Sequence, residues 1–127
     1  MFDARFYLAA AAVVAAVAAC GGSSSTPPAA TASVGSAGAN IGAATVKISA
    51  TDQLKFSPTS VTAHVGDVIE WTNTGTVTHT VTFDSQPSLS DPSLNASGTW
   101  EVRFNAAGTY AFHCTIHPGM TGTLTVS

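Results

Sequence analysis

This chain carries little charge. Only 9% of its 127 residues are charged, and Lys and Arg together number 4. So few cations build no basic patch, and nucleic acid is not an expected partner. Sulfur is scarcer still, with 2 Cys and 2 Met, one Met being the first residue. No stretch of useful length carries the 3.6-residue apolar period of a helix, which argues against a helical fold. The longest apolar run, Phe6 to Ala19, has 14 residues, short of the roughly 20 that span a bilayer.

That run has the length of a secretion signal. Arg5 gives it a small positive start, weakened by Asp3. It ends in Val17-Ala18-Ala19-Cys20-Gly21-Gly22, which resembles a bacterial lipoprotein box. The expectation is a signal peptide over 1–20, with Cys20 lipidated and the protein anchored by lipid to a membrane, periplasmic or at the cell surface. Ordinary cleavage nearby is the alternative. A lipidated Cys20 leaves Cys114 without a disulfide partner. A lone thiol in an exported protein is open to oxidation unless something such as a metal occupies it.

Gly21 to Ala44 is rich in Gly, Ser, Thr, Ala and Pro and has no charge. Such a composition buries no core, so 21–44 reads as a flexible linker. From Thr45 the pattern turns to short alternating segments separated by turn signals. These are Thr45–Ala50, Val61–Val65, Val68–Asn73, Thr78–Phe83, Thr99–Phe104, Thr109–Cys114 and Gly122–Val126. The polar stretch Ser85 to Gly98 is the longest loop, with room for a helical turn. About seven strands without helices predict an all-β, Greek-key β-sandwich over 45–127. A head of this size without a disulfide is marginal, and a bound metal would stabilise it.

The run Phe112-His113-Cys114-Thr115-Ile116-His117-Pro118-Gly119-Met120 concentrates thiolate, imidazole and thioether, the ligands that suit copper. Strand alternation sorts the histidines. Cys114 shares the inward face with Tyr110 and Phe112, so His113 points outward, and His64 lies on the polar side of its strand. His79 opens a strand after a turn, and His117 follows Cys114 past a strand end. His79, Cys114 and His117 can therefore supply a trigonal set, with Met120 as a weak axial ligand, the combination of a blue-copper site. Zinc is the competing metal, but its structural sites repeat Cys or His and its catalytic sites keep an open position. A buried structural Cys and a gap-filling Met are the plain alternative. A Cys-His nucleophile would need an oxyanion hole and a third polar group, and neither is evident, so an enzyme is not expected.

Taken together, Phe56-Ser57-Pro58, Gly66-Asp67, Val68-Ile69-Glu70-Trp71-Thr72-Asn73, His79, the stretch from Ala107 to Cys114, and Gly122 to Val126 resemble the cupredoxins, the small blue copper proteins. Closest is the amicyanin and plastocyanin branch, and the short spacing from Cys114 to Met120 is similar to that of amicyanin, plastocyanin and azurin loops being longer. The resemblance implies one type 1 copper on His79, Cys114, His117 and Met120. It also implies one-electron transfer by a monomer that docks transiently with redox proteins near His117. A non-redox copper-binding or delivery module is the alternative, though no Met-rich or His-rich tract speaks for it; a fragment of a multicopper enzyme would need further copper ligands. Two departures stand out. Thr80 occupies the place where the family usually has an Asn that ties the ligand loops together, and the head is short at its N-terminal end.

Overall fold

Alternating apolar residues build two sheets whose inner faces bury one another. The computed structural model describes residues 33–127. The expected signal peptide, Cys20 and the expected linker as far as residue 32 lie outside the described residues. One sheet contains β1 (Gly35–Gly38), β2 (Val46–Thr51), β3 (Lys55–Ser57), β5 (Val68–Asn73) and β8 (Thr99–Phe104), in the order β1-β8-β5-β2-β3. The other contains β4 (Ser60–Ala63), β6 (His79–Phe83), β7 (Asp91–Leu94), β9 (Gly108–His113) and β10 (Thr121–Val126), in the order β4-β10-β9-β6-β7. The expected all-β sandwich is present, with ten strands among the described residues instead of about seven.

The three unforeseen strands are β1, β3 and β7, and all three are sheet edges. Short edge strands limit pairing with other chains. β7 carries Pro92, which only an edge tolerates without losing a ladder bond. A one-turn helix at Pro87–Leu89 precedes it, inside the stretch expected to be a loop.

β1 corrects the expected linker. Residues 35–38 pair antiparallel with β8, from Gly35 beside Phe104 to Gly38 beside Glu101. The folded head therefore begins ahead of Thr45, and this stretch supplies the strand the head was short of. Its composition hid it: Gly, Ser and Ala have little strand propensity, and the main chain does the pairing. A side chain at Gly35 would run into the carbonyl oxygen of Arg103, so only Gly permits this approach. The following residues are fastened by Glu101, whose carboxylate accepts the Ile41 N–H at 2.6 Å and the Gly42 N–H at 3.2 Å. Glu101 faces away from the core as alternation requires, yet this segment leaves it only 5% exposed.

The core is centred on Trp71, which meets Phe83 and Phe112 edge-on at centroid distances of 5.5 and 5.2 Å. Such pairs add about 0.5–1.5 kcal/mol each beyond their burial. The sandwich has two distinct ends. At one, the Asn105 N–H donates to Val34 and the Val65 N–H to Ser127, so Ser33 and the C-terminus share that end. At the other lie Asn73, the start of β6 and the end of β9.

Candidate metal centre

His79 opens β6, and Cys114, His117 and Met120 come from the loop that follows the neighbouring strand β9. That loop closes on itself. The Met120 N–H donates to His117 O at 3.2 Å across Pro118-Gly119, and the Cys114 N–H donates to Met120 O at 2.9 Å. Pro pre-sets its own φ in such a turn, and Gly119 takes φ 83°, a left-handed value that penalises other residues. The short spacing thus returns Met120 to the core, where it is buried.

His79, Cys114 and His117 are brought together. The Nδ1 atoms of His79 and His117 lie 3.2 Å apart, and Cys114 Sγ lies 3.5 Å from His117 Nδ1 and 4.0 Å from His79 Nδ1. A point equidistant from three atoms so spaced is about 2.1 Å from each, within the ~2.0–2.3 Å of metal bonds to imidazole nitrogen and thiolate sulfur. Two facing Nδ1 atoms hold at most one shared proton, so the triad fits a cation better than it fits a hydrogen-bond network. Burial, and then the charge of His117, push the His79 imidazole below the usual histidine range, against smaller opposing effects of Asp52 and the Thr51 main chain. The neutral imidazole so favoured is the form that ligates. His79 Nε2 is buried and lacks a hydrogen bond of good geometry, despite the nearby Thr51 main chain.

The two excluded histidines lie elsewhere. His64 has 85% of its side chain exposed and faces Asp67, and His113 contacts Asp84 at 2.7 Å. Alternation predicts both outcomes. It does not predict Thr80: the pairing of β6 with β7 is irregular between His79 and Val81, and all three residues are buried. Such an irregularity re-aims side chains beside a site. The Thr80 N–H consequently donates to Cys114 Sγ at 3.3 Å. The Thr80 hydroxyl accepts the Thr115 N–H at 2.8 Å and lies 3.2 Å from the hydroxyls of both Thr82 and Thr115. Despite its shorter reach, Thr80 ties the two ligand-bearing segments together.

Sequence reasoning missed the supports of the segment before His79. Asn73 is buried and donates to Val77 O at 2.7 Å and Leu94 O at 2.9 Å, while its side-chain oxygen accepts the Gly75 N–H at 2.9 Å. Asp52 accepts the Thr76 N–H at 2.7 Å and the Val77 N–H at 3.3 Å. The turn signal around Asn73 was visible, but nothing local links Asp52 to a loop 24 residues on.

Residues 43–127 match the family described as copper binding proteins, plastocyanin/azurin family. The chain is 38% identical over 89 residues to amicyanin-alpha of Methylorubrum extorquens, covering 67% of this chain and 72% of that one. It is 37% identical over 95 residues to plastocyanin of Scenedesmus fuscus, covering 65% of this chain and 97% of that one. A copper(I) structure of an amicyanin variant superposes with a TM-score of 0.61 at 26% identity, covering 70% of this chain and 88% of that one. The chain belongs to the plastocyanin/azurin family of copper-binding proteins, with His79, Cys114, His117 and Met120 as its candidate copper site.

Proposed function

We propose that this protein is a one-electron carrier, exported and held to a membrane by lipid on Cys20. The observation that carries the electron-carrier reading is the convergence of His79 Nδ1, Cys114 Sγ and His117 Nδ1, with Met120 buried at the close of the same loop. Copper bound there supplies a Cu(I)/Cu(II) couple, with Cys114 ligating as thiolate.

The chain's own residues do the rest. The Thr80 N–H donates to the Cys114 sulfur and stabilises negative charge on it. The Thr80 hydroxyl and the Pro118-Gly119 turn hold the donors in place, so little rearrangement accompanies a change of oxidation state. His117 is only partly buried, and its neighbour Ile116 is 51% exposed. Val77, two residues before His79, is 40% exposed. These apolar groups support an electron port at His117 that docks redox proteins briefly and with modest salt sensitivity. Ser33, the first described residue, lies at the end of the head remote from this port, which suits an N-terminal anchor.

Addition of Cu(II) to the purified protein is expected to give intense blue absorption with narrow copper hyperfine splitting. A colourless product, or a Cys114→Ser variant with the same spectrum, would refute the copper-thiolate site. Reversible voltammetry separates a carrier from a delivery module. Globomycin-sensitive membrane fractionation, lost in Cys20→Ala, checks the anchor independently.

A further inference from the structure

The segment leading to His79 is held by a charge. Asp52 receives the N–H groups of Thr76 and Val77 on Oδ1, and the Thr76 hydroxyl lies 3.3 Å from Oδ2. Gly75 makes this approach possible, because a Cβ there would collide with the carboxylate. Among the described residues Asp52 has no Lys, Arg or His ion-pair partner, whereas Glu70, Asp67 and Asp84 each have one. Hydrogen bonds from Thr76 and then Val77 hold its carboxyl below the usual aspartate value, so it stays ionised. Val77, one of its two main-chain donors, stands two residues before His79.

We infer that Asp52 is a positioning residue that also sets the redox balance of the site: it fixes the 75–77 loop ahead of His79 and places one negative charge without an ion-pair partner on the segment that carries that ligand. The thiolate leaves a net charge of one positive unit on the oxidised copper centre and none on the reduced one. A nearby anion therefore stabilises the oxidised form and lowers the reduction potential. The effect is moderate, because Asp52 is exposed and salt screens it.

Asp52→Asn separates the two roles. The amide oxygen keeps accepting from Thr76 and Val77, and the amide nitrogen can donate to the Thr76 hydroxyl, so the loop stays in place while the charge is lost. At an applied potential equal to the wild-type midpoint and at low salt, the Asp52→Asn protein is expected to hold at least twice the wild-type ratio of Cu(I) to Cu(II). The difference should shrink in high salt. Glu70→Gln removes an equal charge that Lys47 already neutralises and is expected to shift the ratio less. Gly75→Ala displaces the carboxylate without removing it and is expected to lower Tm with a smaller change in the ratio. Asp52→Ser serves as the charge-free variant if Asn does not fold. An unchanged ratio in the charge-free variant, or a shift no larger than that of Glu70→Gln or Gly75→Ala, overturns the inference. The inference rests on the copper reading of the site. A wild-type protein that stays colourless with Cu(II) defeats that reading, whereas a blue wild type with an unshifted Asp52→Asn defeats only this one.

Discussion

The two segments that carry the ligands are built in opposite ways. The loop from Cys114 to Met120 holds three candidate ligands in seven residues and closes through its own main chain. The segment before His79 holds one ligand and depends on partners far away in sequence. Asn73 reaches Leu94, Asp52 reaches Thr76, and Thr80 reaches Thr115. The first is specified by local chemistry and the second by tertiary contacts. Damage to the second should therefore spread further.

Asn73→Ala is the strongest way to break the contrast. It strips partners from the Val77 and Leu94 carbonyls and the Gly75 N–H in a buried place, and is expected to cost about 2–4 kcal/mol. Denaturant unfolding measures the loss, and copper affinity should fall with it. Thr80→Val cuts the joint between the segments and leaves the Thr115 N–H without its acceptor, at about 1–2 kcal/mol. Its copper spectrum should broaden, and an unchanged spectrum would mean that the loop positions Cys114 alone. Gly119→Ala tests the self-contained loop. The left-handed φ should cost about 1 kcal/mol, read as a small fall in Tm with His79 unmoved in NMR spectra.

Acid should act weakly and on one segment only. Hydrogen bonds from Thr76 and then Val77 hold the Asp52 carboxyl below the ordinary aspartate range in the folded protein. Its contribution is therefore present above about pH 4 and is lost as pH falls through the folded value. The Thr76 and Val77 amide resonances should titrate in that range while the Met120 amide stays still. Movement of all three together would show that the segments are coupled more tightly than their hydrogen bonds imply.

Much of this was legible in the sequence, and the misses share a cause. Seven strands showed as alternation, and alternation also separated His64 and His113 from the site. β1, β3 and β7 did not show, because short edge strands are held by main-chain pairing and carry few apolar side chains. Glu101 looked solvent-facing because no periodicity reveals a segment 60 residues upstream lying over it. Thr80 was recognisable as a departure from the family pattern, but the irregularity that buries it beside His79 belongs to the pairing with β7.

The sandwich class and the spacing of Cys114, His117 and Met120 are written locally in the chain. Side-chain period and a Pro-Gly turn are short-range properties that each segment carries alone. Only the tertiary structure decided that Asp52, Asn73 and Thr80 hold the fourth ligand, and that residues 35–42 belong to the head. Those outcomes depend on hydrogen bonds between residues 21 or more positions apart, and their partners are chosen by strand register rather than by neighbouring sequence.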